Sequence, residues 1–254
     1  MKCGIIGYPL NKPKSVIIWE KFFKKNNIKS KMNAYSIQTN LFKKFILNML
    51  NDKQAYAFSI TMPYKKKVLK LCSNLDMSAK LAKSANLIVK NNNQFIGYNT
   101  DVLGANETIK KYLTKYNNII IIGLGGVGTS LYNFLKSKYP DIKFHLITSQ
   151  KKKIRKIDKI YLNLNRKILS SKSILINCTP LGSSLNGEYL NKSPIKKIDF
   201  KYINKQNLIF DVVYKPSKTL LRKYADQFSV QYINGTKMVN YQAKEALRIS
   251  FAKS

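Results

Sequence analysis

Four glycines stand close together in the middle of the chain, at positions 123, 125, 126 and 128. They follow four consecutive isoleucines at 119–122, and apolar residues at helical spacing come after them. The isoleucines predict a strand buried on both faces of a parallel sheet, and the later spacing predicts a helix. Glycines in such a turn let a pyrophosphate approach the helix N-terminus, where backbone N–H groups favour negative charge. This order predicts dinucleotide binding, and a purely structural turn is the alternative.

Length and composition allow one large domain or two modest ones, because 254 residues with 44% hydrophobic content can bury a sizeable core. No apolar run is long enough to span a membrane, and the first residues lead directly into a predicted strand without a signal peptide. The scattered Cys3, Cys72 and Cys178 show neither metal-site nor disulfide spacing and fit a cytoplasmic location. The single histidine, His145, lies in a predicted apolar strand, which argues against histidine-based or zinc-based catalysis and predicts no metal site.

The chain is strongly basic, with 46 Lys and Arg against 12 Asp and Glu and a net charge of +34. Such a charge is typical of proteins that bind nucleic acids or membrane surfaces. The lysines are spread along the chain, however, and the residues that AT-rich codons encode are abundant throughout. Because charge indicates a partner only where it is localised, we expect no specific nucleic-acid partner and no membrane partner.

Apolar periodicity predicts an α/β fold in two parts. In the first part it predicts strands or extended segments over 3–6, 33–37 and 57–61, a hairpin of 86–89 with 94–98, and helices over 15–27, 42–50, 63–71 and 75–84. A helix over 102–116 is predicted to lead into the glycine-containing strand, so the boundary between the two parts is expected near residue 102. Ser15 is the predicted N-cap of its helix, and Pro63 the predicted start of another. In the second part, further strands over 144–148, 174–177 and 208–213 alternate with helical or polar stretches, which predicts a doubly wound parallel sheet. A final amphipathic helix is predicted over 238–251.

Several further motifs occur in a fixed order along nearly the whole chain. They are Gly7-Tyr8-Pro9-Leu10 with Ser15, the segments 59–65 (SITMPYK), 97–104 (GYNTDVLG), 177–182 (NCTPLG) and 211–216 (DVVYKP) with Thr219, and 235–243 (GTKMVNYQA). Together they resemble the shikimate dehydrogenase family, and the segments around Lys65, Asp101 and Gln242 are the specific ones. The resemblance implies reduction of a small molecule, 3-dehydroshikimate, to shikimate with NADPH, in the pathway to aromatic amino acids.

The resemblance also implies a domain organisation. Residues 1–101 would form an N-terminal α/β substrate-binding domain, and 102–236 a Rossmann-type NADP-binding domain with a doubly wound parallel sheet. Residues 237–254 would form a C-terminal helix that packs back on the substrate domain. The active site would lie in the cleft between the domains. The oligomeric state is left open between a monomer and a homodimer.

By this resemblance Lys65 and Asp101 are the catalytic pair. Hydride delivery to a ketone leaves an alkoxide, which a lysine ammonium can stabilise and protonate, directly or through water. A carboxylate beside the ammonium holds it in place and can accept hydrogen bonds from substrate hydroxyls. From the residues alone, Lys65 could instead be a solvated lysine in a Lys-Lys-Lys run, and Asp101 could be a helix cap.

The family binds the ring hydroxyls and the carboxylate of its substrate with hydroxyl and amide side chains, which offer each group a matching donor or acceptor. The matching positions here, besides the catalytic pair, are Ser15, Thr61, Asn86, Tyr214 and Gln242. The chain departs from the family pattern at several positions: Pro13 replaces a serine, Trp19 a histidine, Ser59 an asparagine and Leu87 a threonine. Loss of one clamp hydroxyl costs about 1 kcal/mol or more of binding unless another group replaces it.

The expected cofactor is NADPH, because no acidic residue follows the second strand of the glycine-containing half, where an NAD site usually has one. The family's Asn-Arg-Thr at this place is also missing, and Ser149 with Lys151 or Lys152 could replace it. The glycine turn and the family resemblance together imply a set of cofactor-binding residues, namely Gly123, Gly125, Gly126, Val127, Gly128, Ser149, Lys151, Thr179, Gly182, Val212, Gly235 and Met238.

Two other functions remain open from the sequence. The first is a quinate-active relative that uses NAD. The second is a catalytically impaired derivative that binds nucleic acid through its basic surface, for which the net charge and the missing clamp serine speak.

Overall fold

The computed structural model describes residues 1–11, 13–149, 159–161, 164–185 and 187–251. They form two compact units. The first consists of Met1–Leu103 together with Tyr241–Ser254, and the second consists of Gly104–Asn240. The first unit is therefore discontinuous in sequence, and the second is contiguous.

The first unit is built on a mixed six-stranded sheet in the order β2-β1-β3-β5-β6-β4. Its strands are β1 Lys2–Gly7, β2 Lys31–Ser36, β3 Ala55–Ile60, β4 Asn74–Leu75, β5 Leu87–Asn91 and β6 Gln94–Tyr98. Its helices are α1 Lys14–Lys25, α2 Phe42–Asn51, α3 Met77–Ala82 and the first residues of α4 Thr100–Ile109, with a 3₁₀ helix over Lys67–Leu71. The strand β1 pairs in parallel with β2 and β3, whereas β5 is antiparallel to both β3 and β6.

Both faces of this sheet are covered, because successive strand residues enter two different apolar clusters. Phe58 packs in one cluster and its neighbour Ala57 in the other. Ile88 and Leu87 divide in the same way between the two clusters. The first unit therefore has two layers of core around its sheet.

The C-terminal helix completes one of these layers. This helix, α8, spans Thr236–Phe251. Its Ala246 and Leu247 pack in the cluster that contains Trp19. The Tyr56 hydroxyl donates a hydrogen bond to the carbonyl of Ser250 at 2.7 Å.

The second unit contains an all-parallel six-stranded sheet. Its strands are β7 Asn118–Ile122, β8 Lys143–Ile147, β9 Lys159–Tyr161, β10 Ile174–Asn177, β11 Leu208–Asp211 and β12 Gln231–Asn234. Its helices are α5 Gly126–Lys138, α6 Arg166–Leu169 and α7 Leu220–Gln227, with 3₁₀ helices over Lys110–Tyr112, Gly187–Tyr189 and Lys197–Tyr202. In the order β12-β11-β10-β7-β8-β9, the first strand of this unit, β7, lies in the middle of the sheet. The chain adds β8 and β9 on one side of β7 and then β10, β11 and β12 on the other side, which is the doubly wound arrangement. The predicted fold class is confirmed.

Several predicted elements differ in their bounds. Pro13, not Ser15, is the N-cap of α1, in an extended conformation without a side-chain cap hydrogen bond. The helix predicted over 75–84 is shorter, because Leu75 pairs with β6 and the Asp76 carboxylate caps α3 through the Ser78 amide at 2.8 Å. The helix predicted over 102–116 begins at Thr100, ends at Ile109 and is followed by the 3₁₀ helix.

The helix predicted from Pro63 onward is wrong. The segment is a turn followed by the 3₁₀ helix over Lys67–Leu71. The Lys65 carbonyl accepts a hydrogen bond from the Ala85 amide at 2.8 Å, so it is engaged outside the α-helical ladder. The elements β9, β12 and α7 were not predicted; β9 and β12 have only three and four residues.

In the part of the chain that the structure describes, no helix is long and apolar enough to cross a membrane.

Candidate functional site

Lys65 and Asp101 form an ion pair in the first unit. The Lys65 Nζ lies 2.5 Å from the Asp101 Oδ2, and their side chains are 27% and 21% exposed. The sheet brings the two residues together: Ser59 of β3 faces Leu87 of β5, which in turn faces Tyr98 of β6. Because β5 runs antiparallel to both of its neighbours, the C-terminal ends of β3 and β6 lie on the same side of the sheet. The loop after β3 carries the lysine, and the helix after β6 carries the aspartate.

Neither structural alternative describes this pair. The side chain that caps α4 is that of Asn99, whose Oδ1 accepts from the Val102 amide at 3.2 Å. Asn99 is buried and is itself held by Ser84, whose carbonyl and hydroxyl accept from its amide group at 2.9 and 2.8 Å. Asp101 is therefore available to the lysine, and Lys65 is a paired, mostly buried residue rather than a solvated one.

A cluster of amide and hydroxyl groups adjoins Asp101 along the chain. Thr100 donates from its backbone amide to the Asn86 Oδ1 at 2.7 Å, and the Asn86 Nδ2 donates to the Thr100 Oγ1 at 3.0 Å. The Gln242 Oε1 accepts from the Asn86 Nδ2 at 3.3 Å and from the Thr100 Oγ1 at 3.2 Å. The structure thus joins two predicted residues that are 156 positions apart. Thr100 was not a predicted site residue, although it lies inside the Asn-Thr-Asp motif that signalled Asp101.

The other predicted substrate residues are placed differently. The Ser15 Oγ is buried and has no hydrogen-bond partner among the described residues. Thr61 follows β3, and its methyl group lies 2.4 Å from where a Cβ on Gly7 would stand, so these two segments pack closely. Within residues that the structure describes, no hydrogen bond joins Ser15 or Thr61 to the Asn86–Gln242 cluster. Tyr214 belongs to the second unit, and its part in substrate binding stays a prediction.

A cavity of about 850 Å³ lies in the second unit, at the edge where the parallel strands end. The glycine turn forms one wall. Gly123 has a φ of +95°, and a Cβ on Gly128 would stand 1.9 Å from the Gly123 carbonyl oxygen, so both positions require glycine. Gly125 and Gly126 have open space around them instead. The N-terminus of the 13-residue helix α5 is therefore accessible to an anionic group.

The predicted cofactor residues divide into three sets. Gly123, Gly125, Ser149 and Thr179 line the cavity. Lys151, with Lys152, falls outside the described residues. The remaining ones are not among its lining residues, namely Gly126, Val127, Gly128, Gly182, Val212, Gly235 and Met238.

Sequence reasoning missed several residues that line the cavity. Besides Pro180 and Leu181, they include Tyr189, Pro194, Lys196, Ile198 and Asp199. Pro180 and Leu181 lie in a quoted motif, but the segment from 189 to 199 gave no signal, since it holds only short 3₁₀ turns without periodicity.

The cavity also contains a thiol. Burial, with the nearby Asp211 carboxylate, raises the pKa of Cys178 to about 12, so this group is neutral at physiological pH. Within the described residues, no group of three or more His, Cys, Asp or Glu side chains is arranged to hold a metal ion.

Comparisons with known proteins agree with this architecture. Residues 5–88 match the family model described as the shikimate dehydrogenase substrate binding domain. The chain is 29% identical over 249 residues to a Clostridium botulinum protein named shikimate dehydrogenase (NADP(+)), covering 96% of this chain and 94% of the relative.

Two solved structures share the fold. A chorismate mutase/shikimate 5-dehydrogenase fusion protein from Clostridium acetobutylicum superposes with a TM-score of 0.84 at 24% identity, over 100% of this chain and 92% of the other. Quinate dehydrogenase from Corynebacterium glutamicum, solved in complex with NAD, has the same TM-score at 19% identity and covers 100% and 94%. Together with the ion pair, the glycine turn and the ordered motifs, these comparisons lead to one conclusion: the chain is similar to shikimate dehydrogenases over nearly its whole length, and residues 5–88 match the substrate binding domain of that family.

Proposed function

We propose that this protein is an NADP-dependent oxidoreductase that reversibly reduces 3-dehydroshikimate to shikimate. The observation that carries the proposal is the Lys65–Asp101 ion pair, formed between two residues that the family resemblance assigns to catalysis. The first unit supplies this pair and the adjoining cluster, and the second unit supplies a cavity with a glycine turn. The similar proteins named shikimate dehydrogenase (NADP(+)) support the same reaction and cofactor.

The residues present fit a dinucleotide. The cavity is large, its glycine turn cannot accept a side chain at Gly128, and the N-terminus of α5 is open. NADPH, when bound, supplies the hydride. We propose that Gly125 and Gly126 receive its pyrophosphate through their backbone amides and that Thr179 borders the nucleotide.

In the proposed reaction, Lys65 protonates the substrate. As the hydride reaches the carbonyl carbon, the electron pair of the C=O bond moves to the oxygen, and the Lys65 ammonium gives this oxygen a proton. Before the proton moves, the same ammonium stabilises the developing negative charge. Asp101 fixes the direction of the ammonium through the 2.5 Å contact, and solvent restores the proton afterwards.

Amide and hydroxyl groups bind the rest of the substrate in this proposal. Asn86 and Gln242 offer both donors and acceptors to ring hydroxyls, and their mutual hydrogen bond holds them ready. The buried Ser15 hydroxyl, which lacks a partner among the described residues, is proposed to donate to the substrate carboxylate. Thr61 and Tyr214 remain further candidates for this binding.

We propose NADP rather than NAD for a reason of charge. Ser149 lines the cavity at the end of β8, where no acidic residue stands, and Lys196 is another of its lining residues. A lysine in the cavity favours the additional 2′-phosphate of NADP. Asp199 also lines the cavity.

A quinate dehydrogenase that uses NAD is the second candidate, favoured by the close fold of the Corynebacterium glutamicum enzyme. Initial rates of the purified protein with shikimate and with quinate, each with NADP⁺ and NAD⁺, separate the two. We expect the highest kcat/KM for shikimate with NADP⁺. A clear preference for quinate with NAD⁺ would establish the second candidate instead.

We further propose a cytoplasmic protein that acts on a small molecule, as a monomer or a homodimer. The three cysteines are free thiols, with Cys3 buried and Cys72 and Cys178 partly buried, as a reducing compartment allows. The net charge of +34 leads to contact with polyanions at low salt only. Binding of DNA or RNA that persists at physiological salt, in a protein without turnover, would favour the nucleic-acid alternative.

A further inference from the structure

Asp211 is a buried acidic residue that the proposed reaction does not use. It ends β11, and it is the one fully buried acidic residue among those the structure describes. Its Oδ1 accepts hydrogen bonds from the Asn177 Nδ2 at 2.9 Å and the Val213 amide at 3.0 Å. Its Oδ2 accepts from the Tyr232 hydroxyl at 2.7 Å and the Thr219 hydroxyl at 3.1 Å.

None of these partners is a cation. A buried carboxylate without a counter-ion is costly unless several donors satisfy it. Burial raises the pKa of Asp211, while the hydrogen bonds from Tyr232, Val213, Asn177 and Thr219 lower it. Such an arrangement calls for a role that an apolar residue could not fill.

The carboxylate determines how the Asn177 amide is oriented. A carboxylate only accepts hydrogen bonds, so Asn177 must turn its NH₂ group toward Asp211 and its oxygen the other way. That oxygen accepts from the Thr179 amide at 2.9 Å and from the Thr179 hydroxyl at 2.7 Å. The Thr179 hydroxyl oxygen in turn accepts from the Leu181 amide at 3.3 Å.

Thr179 and Leu181 both line the cavity. The Thr179 methyl group lies 2.6 Å from where a Cβ on Gly123 would stand, so it packs directly against the glycine turn. A continuous chain of hydrogen bonds and contacts therefore leads from Asp211 through Asn177 and Thr179 to the turn.

We propose that Asp211 is a positioning residue for the dinucleotide cavity, holding the loop of Thr179 against the glycine turn. This inference rests on the proposed function, since it takes the cavity to bind NADPH. Asp211 touches no ligand in this account and acts only through Asn177 and Thr179.

Charge and positioning predict opposite changes in cofactor binding, which makes the inference testable. If the negative charge of Asp211 acted on the phosphates directly, its removal would tighten NADPH binding. If the residue positions the loop, Asp211→Ala weakens NADPH binding, by about tenfold. Asp211→Asn keeps an oxygen for Asn177 and Val213, and the hydroxyls of Thr219 and Tyr232 can accept from its NH₂ group. We expect this variant to stay within about threefold of the unaltered protein.

Asn207→Ala is the matched control. Asn207 is fully buried just before β11 begins, at the strand end opposite Asp211. Its Oδ1 accepts from the Ser173 amide at 2.9 Å, and its Nδ2 donates to the Leu169 carbonyl at 3.2 Å. This variant also loses buried hydrogen bonds, but none that leads to the cavity.

The experiment is a direct titration with NADPH, followed by nicotinamide fluorescence or calorimetry, with the melting temperature of each variant recorded. We expect a raised Kd for Asp211→Ala, a near-normal Kd for Asp211→Asn and for Asn207→Ala, and an unchanged KM for shikimate at saturating NADP⁺. Equal weakening in Asp211→Ala and Asn207→Ala, or tighter binding in Asp211→Ala, would overturn the inference.

Two further outcomes are covered. If Asp211→Ala does not fold, Tyr232→Phe takes its place, because it removes the hydroxyl that donates to Asp211 at 2.7 Å and keeps the ring. This variant should raise the Kd for NADPH about threefold. An unchanged Kd would overturn the inference. If the unaltered protein binds no dinucleotide at all, the proposed function fails together with the inference. Normal binding by the unaltered protein and an unaffected Asp211→Ala variant would refute the inference alone.

Discussion

Replacing Lys65 by methionine tests the proposed chemistry most directly. Lys65→Met keeps most of the apolar stem of the side chain and removes the ammonium that contacts Asp101 at 2.5 Å. The neighbouring Lys66 provides the matched control, because it is exposed and has the same chemical type. The variant Lys66→Met removes the same charge from the same segment, so any general effect of net charge appears in both variants.

The expected magnitudes differ between activity and stability. Loss of a general acid lowers kcat about 10²- to 10⁴-fold, which corresponds to about 3–5 kcal/mol in the activation free energy. The ion pair is about a quarter exposed, so water screens it, and its loss lowers the free energy of unfolding by no more than about 1 kcal/mol. For a chain of this size that corresponds to a fall of about 2–4 °C in Tm.

The assay is the initial rate of shikimate oxidation, followed by NADPH absorbance at saturating substrates, with Tm measured for each protein. We expect Lys65→Met to lose turnover with nearly normal NADPH binding, and Lys66→Met to behave like the unaltered protein. Turnover within threefold of normal in Lys65→Met would refute the role given to this ammonium. A fall of more than about 10 °C in its Tm would show instead that the pair is mainly structural.

Three more predictions concern the second unit and the cysteines. Gly128→Ala should abolish NADPH binding and destabilise the protein, because the added Cβ stands 1.9 Å from the Gly123 carbonyl oxygen. A Cβ at Gly126 has open space, so Gly126→Ala should leave Tm equal or higher and weaken only the binding of NADPH, measured by titration. Equal losses of Tm in both variants would contradict this prediction. Lys196→Ala should weaken the binding of NADPH about fivefold and that of NADH only slightly, because Lys196 lines the cavity. Lys197→Ala, at an exposed position, is the control. An equal loss of affinity for both nucleotides would show that Lys196 does not bind the 2′-phosphate. Burial raises the pKa of Cys72 and of Cys178 to about 12 and also raises that of Cys3. These thiols are therefore largely un-ionised at pH 8, and the native protein should react slowly with iodoacetamide. Intact-mass measurement should show three adducts only after denaturation, and the reaction should accelerate as the pH rises. Rapid alkylation of the native protein at pH 8 would contradict the raised pKa of these thiols.

The part of the architecture that sequence reasoning predicted well is the part with strong periodicity. Four isoleucines before a glycine turn predict a strand in the interior of a parallel sheet, and β7 is such a strand. The hairpin of β5 and β6 was likewise evident from two apolar runs around three asparagines. In both cases local pattern and tertiary environment favour the same structure.

Tertiary contacts decided the segments that were predicted wrongly. Nothing near Lys65 in the sequence reveals that its carbonyl pairs with the Ala85 amide, so a helix was expected where the chain makes a turn. From the sequence Asp101 could have been a helix cap, but the side chain that caps α4 is that of Asn99, two residues earlier.

The cavity wall was beyond reach for another reason. Tyr189 and Lys196 lie in a stretch of short 3₁₀ turns, whose position depends on long-range packing rather than on period. Cooperation between Asn86 and Gln242, far apart in sequence, came only from the family motifs, since no spacing rule connects them.

The division of the first unit into two sequence segments has a consequence for synthesis on the ribosome. The layer around Trp19 needs Ala246 and Leu247, which emerge after the whole second unit has been made. The growing chain therefore holds an unfinished hydrophobic surface while the contiguous second unit is already complete. The segment that closes that surface also carries Gln242, so the hydrogen bond between Asn86 and Gln242 forms in the same step that completes this layer of the core.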